Sequence, residues 1–265
     1  MQHASLNPIF ASVKSTNSRY FIELAFDGGA YHGWQIQPNA LTVQQVLDRA
    51  LSTLLRQSIH TVGCGRTDTG VHAKQLYAHF DVSHSAALDD TDRFLYQVNS
   101  LLPHDIAAKR LIAVADDAHA RFDAVRRSYE YHAHTRKDPF LHGRSWLLRE
   151  VPDVSAMNAA AEILQQYEDF SCFSKSHTQV HTNLCRITDA EWRWVGDGQL
   201  VFYISANRFL RNMVRAIVGT LMEIGRGEHA PEYMHEVIRS KDRSVAGTSV
   251  PACGLFLSEV TYPYL

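Results

Sequence analysis

Cysteine is scarce in this chain and never clustered: Cys64, Cys172, Cys185 and Cys253 form no C-x-x-C pair within 265 residues. Such spacing excludes a disulfide scaffold, gives no cysteine-built zinc site, and suits a reducing compartment, so a cytoplasmic protein is expected. His177 and His181 sit four apart but lack a third ligand, and no resident metal is expected. Long apolar runs are missing as well, and nothing approaches the roughly 18 residues of a membrane span. The first 18 residues, MQHASLNPIFASVKSTNS, have no basic stretch followed by an apolar one and read as a flexible tail rather than an export signal. Net charge is nearly absent: 26 basic side chains face 28 acids. Total charge therefore argues neither for nor against a polyanionic partner.

What the chain does have is two kinds of periodicity. Residues 19–26 alternate as a strand, and residues 42–55 repeat apolar side chains on one helical face, from Val43 through Leu47 and Leu51 to Leu55. Thr42 and Gln45 fit a capping box at the start of that helix. Strands over 60–66 and 75–82, a helix over 89–102 and a strand over 106–115 complete a β-α-β-β-α-β order, the ferredoxin-like arrangement. The second half repeats it: a strand from residue 127, a helix starting at a Ser155 cap, a hairpin turning at Asp197-Gly198, a helix over 211–225 stopped by Gly225, a short helix over 231–240, and a last strand over 254–262. The expected fold is α+β. It comprises a tail (1–18) and two ferredoxin-like α/β subdomains (19–118 and 119–265), with antiparallel sheets joined into one extended sheet around a central cleft.

Charge, though balanced, is unevenly placed. Residues 198–222 carry Arg208, Arg211 and Arg215 and no acid, while 121–136 carry Arg121, Arg126, Arg127 and Arg136 beside aromatic residues. Two solvated faces would look like this, and so would a nucleic-acid surface. The densest puzzle is GCGRTDTG, residues 63–70, with three glycines, Arg66 and Asp68 in eight positions before an alternating run. Aspartate is an ordinary turn residue. The glycines match neither the Walker A nor the dinucleotide pattern, and no second acid lies close enough in sequence to suggest a paired-carboxylate hydrolase.

GRTDTGVHA (65–73) resembles the signature of the tRNA pseudouridine synthase A (TruA) family. FDGGAYHGWQIQ (26–37), NSLLPHDIA (99–107), HARFDAVRRSYEY (119–131), NRFLRNMVRAIVG (207–219) and GLFL (254–257) follow in the order and spacing of that family. Two departures stand out: Phe26 where tyrosine is commoner, and Ser128 between the arginine pair and Tyr129. The resemblance implies the pseudouridine synthase fold and cofactor-free isomerisation of uridine to pseudouridine at positions 38–40 of the tRNA anticodon stem-loop. A homodimer with one tRNA touching both subunits is implied too. Asp68 would be the essential carboxylate, attacking C1′, attacking the base, or deprotonating C2′ on the way to a glycal. Arg215 would be its ionic partner from the other half, and Tyr129 would stack on the uracil and move a proton. Arg66 would fill the space left by the extruded nucleotide, and Leu255 would form the apolar wall under the base. Arg121, Arg126, Arg127, Arg208, Arg211, Lys175 and His177 would contact RNA, with the choice between Arg126 and Arg127 open. The competing readings are a non-catalytic RNA-binding protein on the same scaffold and a synthase with a different RNA target.

Overall fold

The computed structural model describes residues 17–83, 85–174 and 182–265. Most of the expected tail, and the loop holding Lys175, His177 and His181, lie outside them. The strands are β1 (Asn17–Phe26), β2 (Val62–Gly63), β3 (His72–Ser83), β4 (Ile106–Val114), β5 (Arg126–His134), β6 (Trp146–Leu147), β7 (Ile187–Gly196), β8 (Gln199–Ala206) and β9 (Leu255–Thr261). The helices are α1 (Val43–Leu55), α2 (Thr91–Leu101), α3 (Val154–Ile163), α4 (Met213–Gly225) and α5 (Tyr233–Ser240). Among the described residues no helix is long and apolar enough to cross a membrane.

All nine strands join in one mixed sheet, ordered β4-β1-β3-β9-β5-β8-β7, with β2 on β3 and β6 on β5. Pairing within each half is antiparallel except for the short β6, which runs parallel to β5. The halves meet where β9 runs parallel to β3, at His72 with Phe256 and Ala73 with Leu257. One edge of β3 is taken throughout by β1, and the other is shared. There β2 holds His79 and Ala78, while β9 holds His72 and Ala73. Residues 64–71 must therefore turn at the point where the two halves join, which puts GRTDTG on the seam.

Local chemistry explains the helix limits. The Thr42 side chain accepts from Gln45 N, so α1 starts where expected; the side chain of Gln45 makes no return bond, leaving half a capping box. Asp90 caps α2 through Arg93 N at 3.0 Å. At α3 the cap is Asp153, which accepts from Ala156 N at 3.0 Å; Ser155 lies inside the first turn. Both residues can cap, and the carboxylate two residues earlier takes the position. Gly225 does not stop α4. It is its last helical residue, buried, and a Cβ there would lie 2.6 Å from Met157 Sδ. Its smallness lets α4 meet α3.

Each half builds its own core. One gathers β1, β3, α1 and α2 around Phe21, Leu24, Leu47, Phe80 and Phe94; the other gathers β5, β8, α3 and α4 around Tyr131, Trp192, Phe202 and Ile217. They trade members across the seam. Leu257, Val260 and Tyr262 of the β9 segment enter the first core, Val71 of the loop enters the second, and Tyr129 packs against both.

Gly219 marks a close approach in the second half, since a Cβ there would lie 2.0 Å from the carbonyl oxygen of Thr248. Alanine gains about 1 kcal/mol of helix propensity over glycine. Overpacking against a backbone carbonyl costs about 1–3 kcal/mol, and it would displace the chain leading to β9. Gly219→Ala should therefore lower the melting temperature, by roughly 2–4 °C per kcal/mol of net loss for a chain of this size. A higher melting temperature in a thermal scan would contradict the close approach.

Candidate active site

The loop bearing Asp68 is held from beneath by the segment after β1. Trp34 N donates to Thr67 O at 3.4 Å and Gly70 N donates to Tyr31 O at 3.3 Å, while within the loop Val71 N donates to Asp68 O at 3.2 Å. Backbone lies so close on backbone that side chains are excluded. A Cβ on Gly28 would sit 1.9 Å from Val71 O, and one on Gly33, whose φ is +84°, would sit 2.2 Å from Thr67 O. This is why FDGGAYHGW and GRTDTG occur together: the first is the bed on which the second lies.

The carboxylate of Asp68 is 27% exposed and meets two guanidiniums from the second half. Arg215 Nη1 is 3.7 Å from Oδ2, and Arg211 Nε is 3.8 Å from Oδ1. Both distances exceed a direct hydrogen bond, so these are ion pairs with slack, a geometry that free enzymes often tighten on binding substrate. Arg215 is the fixed member. Its Nε donates to Val250 O at 2.7 Å, and its own carbonyl accepts from Val250 N at 3.3 Å. Its side chain is 21% exposed against 59% for Arg211. The sequence reading gave Arg211 to the RNA backbone. Arg211 lies just ahead of the left-handed cap Asn212, outside α4, so helical spacing from Arg215 does not explain its approach to Asp68.

Tyr129, on β5, points into the seam and meets Phe209 edge to face, with ring centroids 5.1 Å apart and planes at 88°. Burial raises the pKa of its hydroxyl; nearby Cys64 and Asp68 push the same way, and Arg127 opposes them. At neutral pH the phenol keeps its proton and can donate it. Phe209 had no role in the sequence reading, and nothing local to RFLR marks it as the neighbour of Tyr129.

The remaining arginines sort by what occupies them. Arg127 is tied to four backbone carbonyls, those of Ala124, Asn207, Cys64 and Arg121, at 2.7–3.2 Å. Arg126, its neighbour on the strand, turns the other way and binds Asp189 and the Ser205 hydroxyl, each at 3.0 Å. Arg66 is exposed, and neither it nor Arg208 has an ion pair or side-chain hydrogen bond among the described residues. Arg121 is also exposed; part burial lowers its pKa, and so do the like charges of Arg66, Arg127 and Arg208 around it. Leu255 opens β9 at 6% exposure, packed in the second core beneath the seam. Surface cavities of 410 and 540 Å³ lie elsewhere, beside Phe140 and Tyr264, and include no residue of the Asp68 constellation.

A carboxylate between two guanidiniums, a partly buried neutral phenol and unpaired arginines thus lie together along the seam. Comparison with known proteins gives the class first: a family model described as tRNA pseudouridine synthase matches residues 160–263. Three proteins called tRNA pseudouridine synthase A match far more of the chain. That of Parabacteroides distasonis is 51% identical over 245 residues, covering 92% of this chain and 96% of its own. That of Porphyromonas gingivalis is 49% identical over 93% and 98%, and that of Exiguobacterium sibiricum 36% identical over 92% and 97%. The chain belongs to the tRNA pseudouridine synthase A family, a family of isomerases.

The carbonyl set around Arg127 yields a test that separates it from Arg126. Removing the Arg127 guanidinium strips a charged donor from four carbonyls spanning both halves, and hydrogen bonds to charged groups contribute about 1.5–3 kcal/mol each. Arg127→Ala should cost at least ~2 kcal/mol of stability in denaturant unfolding, whereas Arg126→Ala, which loses a half-exposed pair, should cost about 0–1 kcal/mol. Equal costs would mean that the carbonyls are not a clamp.

Proposed function

We propose that this protein isomerises uridine to pseudouridine at positions 38–40 of the tRNA anticodon stem-loop, with Asp68 as the essential carboxylate. The observation that carries this reading is the position of Asp68, presented by one half to Arg211 and Arg215 of the other, in a chain about half identical to tRNA pseudouridine synthases along nearly its whole length. The reaction breaks the N1–C1′ bond, turns the uracil and forms a C5–C1′ bond; a proton leaves C5 and one is gained at N1. Asp68 serves by attack at C1′, by attack on the base, or by drawing a proton from C2′. In each case the guanidinium of Arg215, anchored on Val250, holds the carboxylate aimed at the reacting atoms.

Tyr129 is placed to stack on the uracil. A phenol whose proton is firmly held accepts H5 only while passing its own proton on, so Tyr129 works as a relay rather than a free base. Arg66 enters the stem as the uridine leaves it, and Leu255 backs the base. The two β-α-β-β-α-β halves, with strand orders β4-β1-β3-β2 and β9-β5-β8-β7, support division into ferredoxin-like subdomains near residue 118, a pseudouridine synthase fold with its cleft at the seam. Residues 119–125 pack back through Ala120 and Ala124 on the first core. Arg121, Arg208 and Arg211 bind phosphate, and Lys175 and His177 extend that surface. We assign Arg127 to the seam and only Arg126 to the RNA side. The enzyme works as a cytoplasmic homodimer without a cofactor; its four free cysteines accord with that compartment.

Two experiments test the reading. In a pseudouridine assay on unmodified tRNA, Asp68→Ala should reduce product to background. Arg215→Ala should lower the rate by about 10²–10³, the usual cost of losing one preorganised electrostatic group, while costing about 1.5–3 kcal/mol of stability through the lost bond to Val250 O. Turnover by Asp68→Ala at the wild-type rate would end the assignment. If four to six phosphates are neutralised, tRNA affinity should fall with added salt at a log–log slope of roughly −3 to −5. A flat response in filter binding would remove the arginines from RNA contact.

A further inference from the structure

One large aromatic beside the arginine cluster faces solvent, and the fold holds it there. Phe122 is 74% exposed. The turn that carries it is fixed by His119, whose Nδ1 accepts from both Arg121 N at 3.1 Å and Phe122 N at 3.3 Å. His119 N in turn donates to Asp123 Oδ2 at 2.7 Å, and that carboxylate also accepts from the Tyr264 hydroxyl at 2.7 Å. Rings lie beneath: His119 is 4.3 Å from Phe122 with planes tilted at 35°, and His79 meets His119 edge to face at 4.6 Å and 67° on the inner side. The Arg121 guanidinium sits 5.6 Å from the Phe122 centroid, its carbonyl is gripped by Arg127 Nη2 at 2.7 Å, and Arg66, Arg127 and Arg208 lie within electrostatic reach. An apolar ring left in water by a turn with this many fixed bonds is not a packing accident, because the chain has oriented it without covering it.

A largely exposed ring with the Arg121 guanidinium over it, ready to move aside, and further cations nearby matches one ligand chemistry, an unstacked nucleobase flanked by phosphates. We propose that Phe122 is a base-stacking platform: it takes the face of an unpaired anticodon-loop base near the extruded uridine, while Arg121 holds an adjacent phosphate. This rests on the tRNA reading given above. It also explains a rigid Phe122, since a platform already in place pays no ordering entropy on binding. Stacking tolerates any base, which suits an enzyme that accepts neighbouring uridines in different loops.

The test uses the full-length protein with Phe122→Ala, Phe122→Leu and Phe122→Trp, measuring tRNA affinity, single-turnover pseudouridine formation, melting temperature and sedimentation. Alanine and leucine should weaken tRNA binding by roughly 5- to 100-fold, tryptophan should restore it, and all three should melt and sediment as the wild type. Leucine binding as tightly as phenylalanine would overturn the proposal, because it keeps apolar bulk and loses only the π-face. So would a change in sedimentation with tRNA affinity intact, which would make Phe122 a contact between copies of the chain. Should the wild type bind tRNA but form no pseudouridine, the catalytic reading fails while the affinity series still judges Phe122.

Discussion

The Asp68 carboxylate is suspended across a seam, and most of the arrangement around it follows from keeping it there. Its backbone belongs to the first half and its two cationic neighbours to the second. The pair does little for stability. At 3.7 and 3.8 Å, with Asp68 about a quarter exposed, such contacts contribute about 0–1 kcal/mol net. A contribution that small cannot hold two cores of this size together, and the sheet and the exchanged apolar residues already do so. The ion pairs are a consequence of the joined fold that is available for chemistry.

Precision at the seam comes from backbone rather than side-chain charge. Gly28 and Gly33 bring one loop against the carbonyls of the next, Gly219 and Gly247 bring α4 against the chain entering β9, and Val250 meets both the backbone and the guanidinium of Arg215. Carbonyl-to-backbone approaches of this kind cannot relax as long side chains do. Small changes in either half would therefore be transmitted to the distance between Asp68 and Arg215. Slack remains on the outer side, where Arg211 is 59% exposed and holds Asp68 only at 3.8 Å.

Periodicity in the sequence revealed α1, α4 and the repeated β-α-β-β-α-β order, because each element buries a face of its own and that face is written in consecutive residues. The hairpin turn at Asp197-Gly198 was equally legible, with Gly198 at φ +73°. Choices between equivalent local chemistries were not: Asp153 rather than Ser155 caps α3, and Gly225 serves packing against Met157 rather than termination. The site shows the same division. Asp68 and Arg215 could be named from their motifs, whereas the clamp made by Arg127, the edge-to-face support from Phe209 and the approach of Arg211 to Asp68 depend on which distant backbone arrives beside them. A sequence pattern reports that a residue has a partner; the identity of the partner belongs to the tertiary fold.

This distinction also resolves how a chain of net charge −2 presents a surface for a polyanion. Arginines that the fold satisfies with carbonyls, Arg127 and Arg215, are fixed within the available potential, while Arg126 shares its charge with the exposed Asp189. Arg66, Arg121 and Arg208 are left facing one another, close enough that repulsion contributes to lowering the pKa of Arg121. Like charges held together by a folded scaffold keep an electrostatic cost that a phosphate relieves on arrival. Affinity of this kind needs no excess of basic residues in the sequence, only acids kept elsewhere and a seam that brings guanidiniums of one half to a carboxylate of the other.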